Sequence, residues 1–121
     1  MDEKSILIVD DEALIRLSLK LDFVKEGFRT TAVDGGESAL IALKEGPYDI
    51  LLTDYLLEDI DGIELMKKAK ELQPAIKVIV FSGFDAQNSE DGVLDAGADA
   101  FVQKPIDFDD LLKRISELLK S

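Results

Sequence analysis

The chain has 121 residues, 13.3 kDa, and carries 14 basic against 26 acidic residues, a formal charge of −12. That length fits one domain, expected to span residues 1–121, with a core that removes roughly two thirds of the unfolded surface from water. The acidity argues against direct binding to nucleic acid, because a phosphate backbone is repelled by a surface of the same sign. The absence of cysteine and histidine excludes disulfides, thiolate nucleophiles, zinc-thiolate sites and imidazole bases.

Strand and helix signals alternate five times. Ser5–Val9 is a short apolar run, the signature of a buried strand. The next helix is expected over residues 13–26, with Leu14, Leu17, Leu21 and Val24 on one face and Gly27 as its stop. A Thr- and Val-rich strand is expected over 28–33 and a short helix over 37–45. Residues 49–53 form the third strand, and residues 62–73 a helix opened by Asp61 and followed by Pro74. The β-branched run 76–81 is the fourth strand, 86–96 a polar helix, and 98–102 the fifth strand. The last helix is expected over 108–120, capped by Asp107 and buried through Leu111, Ile115 and Leu118. Such alternation requires crossovers and a parallel sheet, and continuous apolar strands require helices on both faces. The fold class is therefore α/β: a doubly wound, flavodoxin-like sheet of five parallel strands in the order 2-1-3-4-5, with five helices.

In such a sheet, sites form at the carboxyl ends of the strands. The first strand ends in Asp10-Asp11-Glu12, the third in Asp54, the fourth in Ser82-Gly83 and the fifth in Gln103-Lys104-Pro105. Each piece has a bland reading: a solvated carboxylate, a turn residue, a helix cap, a surface lysine. Their joint placement at one end of one sheet favours a site. Clustered carboxylates repel unless a cation joins them, and Mg²⁺ suits oxygen ligands of this kind. With the ion, Asp54 becomes a candidate nucleophile for a phosphoryl group, Lys104 a counter-charge and Ser82 a hydrogen-bond donor.

These motifs together (Ile8-Val9-Asp10-Asp11-Glu12, Thr53-Asp54, Asp61-Gly62, Phe81-Ser82-Gly83 and Lys104-Pro105) resemble the receiver domain of two-component response regulators over nearly the whole chain. The resemblance implies that Asp54 accepts phosphate from the phosphohistidine of a sensor histidine kinase or a histidine phosphotransfer protein. It implies Mg²⁺ held by Asp11, Asp54 and the backbone carbonyl of Leu56, with Asp10 acting through water. It implies phosphoryl oxygens held by the N–H groups of Tyr55 and Gly83, a cis Lys104–Pro105 bond, and a switch made of Ser82 and Phe101. The output surface would be the face of the fourth helix, fifth strand and fifth helix, whose partner is unknown, and a homodimer through it is open. The domain would catalyse only its own phosphorylation and dephosphorylation.

Two positions flanking the phosphoryl site, Leu56 and Phe84, are apolar and cannot orient a water, which predicts slow self-dephosphorylation. Family members often carry Met-Pro where Leu57-Glu58 stand here, and with Asp59 this segment reads as a solvated acidic loop. The motifs around Ser82 and Lys104 resemble receivers of hybrid sensor kinases, whereas the start at Met1 resembles a free-standing or N-terminal receiver. A cytoplasmic location without membrane insertion is expected. The competing classes are an inactive docking module, which retention of all five site residues opposes, and a flavodoxin-like cofactor binder. The latter would need a Gly-, Ser- or Thr-rich first turn instead of Asp10-Asp11-Glu12. An aspartyl phosphohydrolase would need a general acid near Asp54 and a cap domain.

Overall fold

A computed structural model describes residues 3–83 and 90–120 of the chain. Five strands, β1 (Ser5–Val9), β2 (Arg29–Val33), β3 (Ile50–Asp54), β4 (Lys77–Ser82) and β5 (Ala100–Gln103), form one parallel sheet in the order β2-β1-β3-β4-β5. The helices are α1 (Ala13–Lys25), α2 (Gly36–Glu45), α3 (Gly62–Leu72), α4 (Glu90–Asp95) and α5 (Phe108–Leu119). The expected fourth helix thus begins outside the described residues, and its described part stops one residue before Ala96. Among the described residues no helix is long and apolar enough to cross a membrane.

Alternation along the strands splits the core in two. Leu7, Val9, Leu51, Val78 and Val80 point to one face, where α2, α3 and α4 cover them through Ala39, Leu43, Leu65, Met66, Ala69 and Val93. Ile6, Ile8, Ile50, Leu52, Ile79 and Phe81 point to the other, beneath Leu19 and Phe23 of α1 and Leu111 and Ile115 of α5. Every residue of β1 and β3 is buried, as expected for strands covered on both faces. Phe23 closes one edge of this layer edge-to-face against Phe28 and Phe108, with ring centroids 5.5 and 4.9 Å away.

The helix caps follow the sequence. The Asp61 side chain accepts from the Ile63 N–H at 2.7 Å, and Asp107 accepts from Asp109 and Asp110. The apolar face expected on α1 does not meet the core. Ile15, Leu19 and Phe23, four residues apart, pack inward, while Leu14, Leu17, Leu21 and Val24 are between 52% and 82% exposed. Helix α1 therefore carries two apolar stripes, and the sheet takes the one with the phenylalanine.

Candidate phosphoacceptor site

The carboxyl ends of β1, β3 and β5 meet at one end of the sheet. Register places Val9 beside Thr53 and Asp54 beside Phe81, so Asp10 and Asp54 leave adjacent strands side by side. Asp10 is fully buried and Asp54 is 8% exposed, whereas Asp11 and Glu12 face solvent. One oxygen from each of these four carboxylates lies within 4.8 Å of the others, a grouping able to hold a metal ion.

Lys104, just beyond β5, closes the cluster. Its Nζ lies 3.1 Å from Asp54 Oδ2, 3.2 Å from Asp10 Oδ2 and 3.3 Å from Glu12 Oε1, over the Phe81 ring at 5.1 Å from its centroid. The Lys104–Pro105 peptide bond is cis, and the Lys104 N–H donates to the Ser82 carbonyl at 2.8 Å. Ser82 itself is buried at the end of β4. Asp10 is held at both ends: its Oδ1 accepts from the Glu12 N–H at 2.8 Å, and its carbonyl accepts from Arg16 Nη1 at 2.7 Å.

Electrostatics agree with crowding. Burial pushes the Asp54 carboxyl above its ordinary pKa, and nearby Asp11 adds to this against the pull of Lys104 and the Leu56 N–H. Burial does the same to Asp10, aided by Asp54, against the Glu12 N–H and Lys104. Burial disfavours the Lys104 ammonium, yet Asp54 and Asp10 outweigh it and raise its pKa. A single ammonium thus serves three carboxylates and leaves negative charge uncompensated, the condition under which a hard divalent cation binds.

The Asp61-Gly62 motif acquires a steric reason. A Cβ at Gly62 would collide with the Asp54 carbonyl and approach the Tyr55 carbonyl at 2.9 Å, so only glycine lets α3 start directly beneath the site. The Gly62 N–H donates to the Tyr55 carbonyl at 2.7 Å, and Leu56 pairs with Asp61 as an isolated bridge, which closes the loop 56–61 at its base.

Several expectations are revised. The Tyr55 N–H is committed to the Phe81 carbonyl at 2.8 Å, extending the sheet ladder by one residue, so it does not point at the phosphoryl position. The backbone N–H that draws the Asp54 carboxyl pKa down is that of Leu56. The Leu56 side chain is 56% exposed at the rim. Glu12, which the sequence placed beside the cluster without a role, contacts Lys104 directly. Asp59 is not a merely solvated acid: its two oxygens accept from the Gly36 and Glu37 N–H groups at 2.9 and 3.0 Å. Phe101 is half-buried, packs against the α2–α3–α4 side of the core, and its carbonyl accepts from Arg114 Nη1 at 3.1 Å. Gly83 is exposed next to Ser82. Phe84, the other expected hydrolysis-tuning residue, lies outside the described residues.

A family model described as the response regulator receiver domain matches residues 6–116. The chain belongs to this family. The receiver is 37% identical over 117 residues to the response regulator receiver protein CpdR of Brucella abortus, covering 96% of this chain and 97% of CpdR. It is 33% identical to the chemotaxis protein CheY of Bacillus subtilis, covering 94% and 96% of the two chains. Its fold superposes on the CheY-like receiver domain protein of Methanospirillum hungatei with a TM-score of 0.91 and 34% identity, over 98% of this chain and 95% of the other. The receiver spans 53% of another relative, the Bacillus subtilis regulatory protein YkoG, at 32% identity. Its role is that of a two-component signalling receiver.

Proposed function

We propose that the receiver, one domain over residues 1–121, takes a phosphoryl group onto Asp54 from the phosphohistidine of a sensor kinase or histidine phosphotransfer protein, with Mg²⁺ in the carboxylate pocket. The observation that carries this reading is the position of Lys104 Nζ, within 3.3 Å of Asp10, Glu12 and Asp54 at once. A cation so placed serves both the resting carboxylates and the oxygens of an incoming phosphoryl group.

An Asp54 carboxylate oxygen attacks phosphorus while the phosphorus–nitrogen bond of the donor breaks. The electron pair stays on the imidazole, which then takes up a proton, and an acyl phosphate remains on Asp54. When bound, Mg²⁺ supplies positive charge shared between carboxylates and phosphoryl oxygens. Asp10, Asp11, Asp54 and the Leu56 carbonyl would hold it, and the four clustered carboxylate oxygens suit an oxygen-seeking ion. Lys104 balances charge on the phosphoryl oxygens, and Ser82 and the N–H groups of Leu56 and Gly83 donate to them. The domain catalyses only its own phosphorylation and dephosphorylation. The apolar Leu56 side chain cannot orient a water on the acyl phosphate, which favours a long-lived signal.

The donor reaches Asp54 along α1. Leu14, Ile15, Leu19, Pro105 and Ile106 line a groove together with Lys104. The exposed Leu14, Leu17, Leu21 and Val24 continue it in alternating steps of three and four, the spacing that seats a partner helix. On the opposite flank, Leu94, Phe101, Arg114 and Leu118 line a groove between α4, β5 and α5. Phosphorylation adds roughly −1.5 to −2 charges at the Asp54 position. Ser82 then moves toward the new group, Phe101 turns inward, and this second groove changes shape for an output partner.

The test is incubation with acetyl phosphate and Mg²⁺, read by intact mass. One phosphoryl group is expected on the receiver and none on Asp54→Ala; incorporation that survives Asp54→Ala overturns the assignment.

A further inference from the structure

The loop that would carry the Leu56 carbonyl toward the ion, residues 56–61, contains no proline to stiffen it. Its base is closed by the Leu56–Asp61 bridge. Its tip is closed by Asp59, whose Oδ1 accepts from the Gly36 N–H at 2.9 Å and whose Oδ2 accepts from the Glu37 N–H at 3.0 Å, across more than 20 residues of chain. Helix α2 has no cap of its own, because its N-cap is Gly35. The fit is close: a Cβ at Gly36 would collide with Cγ2 of Ile60, and one at Gly35 would stand 3.2 Å from both Asp59 oxygens. Gly35-Gly36 is thus a cradle shaped to the loop tip, and the two N–H bonds hold the Asp59 carboxyl below the usual carboxylate range.

We propose that Asp59 is a positioning residue: by tying the tip of loop 56–61 to the start of α2, it fixes the Leu56 carbonyl and so sets the affinity of the carboxylate pocket for Mg²⁺. The inference rests on the metal reading above. In a loop without proline, rigidity comes from this long-range carboxylate clamp.

The far end of α2 supplies a control. Gln73 Nε2 donates to the Leu43 and Gly46 carbonyls, both at 2.8 Å, and Gln73 Oε1 accepts from the Tyr48 N–H at 2.8 Å. This second clamp joins the end of α3 to the end of α2, away from the site. Stability and metal affinity are therefore separable.

The experiment is an Mg²⁺ titration followed by backbone amide shifts, with a thermal melt of each protein. Asp59→Ala is expected to weaken Mg²⁺ binding by about tenfold, the low end for residues that orient metal ligands, and to lower the melting temperature. Gly35→Ser in the Asp59→Ala background restores a local helix cap, so the melting temperature should recover while Mg²⁺ binding stays weak. Gln73→Ala should lower the melting temperature and leave Mg²⁺ binding unchanged. Unchanged Mg²⁺ binding in Asp59→Ala, recovery of binding with Gly35→Ser, or equal weakening in Gln73→Ala overturns the proposal. Failure of the unmodified receiver to bind Mg²⁺ overturns the metal reading itself, and is recognised by occurring without any substitution.

Discussion

The two ends of the sheet both carry aspartates, and they treat them in opposite ways. At the amino end, Asp49 accepts from the N–H of Ser5 at 2.9 Å, and Asp99 accepts from the Val78 N–H at 2.7 Å and from Lys70 at 3.0 Å. Each of these carboxylates ties one strand to the next, with donors at hand. At the carboxyl end, Asp10 and Asp54 are more deeply buried, lie beside two further acids, and share one ammonium, with their carboxyl pKa values pushed up by that burial. One end spends its acids on holding the sheet; the other keeps them short of partners, which is what a cation and a phosphoryl group can use.

The largest expected contrast comes from neutralising one acid at each end. Asp54→Ala should abolish phosphorylation without lowering the stability of the metal-free protein. Asp99→Ala should leave phosphorylation intact and cost about 2 kcal/mol in urea unfolding, because the Val78 N–H and Lys70 lose their acceptor. Equal stability losses at the two ends would erase the distinction.

A smaller effect is expected from Asp10→Asn in the presence of EDTA. The folded pKa of Asp10 is raised, so its contribution to stability is fully present below the ordinary carboxylate pKa and lost as pH rises through the raised value. The unmodified receiver should lose stability over that window, and Asp10→Asn should lose less and melt higher at neutral pH. Added Mg²⁺ should stabilise the unmodified protein and not the variant. A variant that melts lower in EDTA would mean that Asp10 is satisfied as Asp99 is.

Asp59 reverses the sign on a smaller scale. Its folded pKa is lowered by the Glu37 and Gly36 N–H groups, so its contribution is present above the ordinary carboxylate pKa and lost as pH falls through the lowered one. Asp59→Ala should flatten that acid limb of the stability curve, at a cost of about 1 kcal/mol at neutral pH, the usual size of a helix cap. The smallest change concerns lifetime: Leu56→Asn offers a group that orients water and should shorten the phosphoryl half-life severalfold.

Much of this is legible in the sequence. Period and punctuation locate the five strands and, among the described residues, the helices, because buried strands such as Ser5–Val9 and capped helices such as the one opened by Asp61 follow local rules. The site was legible because a parallel sheet sends all strand ends to one edge, so Asp10, Asp54, Ser82 and Lys104 converge by topology. What escaped depends on distant contacts. Helix α1 has two apolar stripes, and the buried one places Phe23 against Phe28 and Phe108, which are distant in sequence or lie beyond the helix. Asp59 looked solvated because its donors lie more than 20 residues upstream. The Leu56 N–H stands where that of Tyr55 was expected, because the sheet runs one residue further than the third strand alone suggests, using the Tyr55 N–H for Phe81. Glu12 joined the site through Lys104, a contact 92 residues apart in sequence.

The central claim is that an acidic pocket accepts a phosphoryl group only through a divalent cation and Lys104. Its most direct test is the saturation of the receiver by beryllofluoride, followed by fluorine NMR, with Mg²⁺ and then with EDTA. The account predicts a bound signal with Mg²⁺ that vanishes on chelation and is absent from Asp54→Ala; a bound signal that persists in EDTA would contradict it.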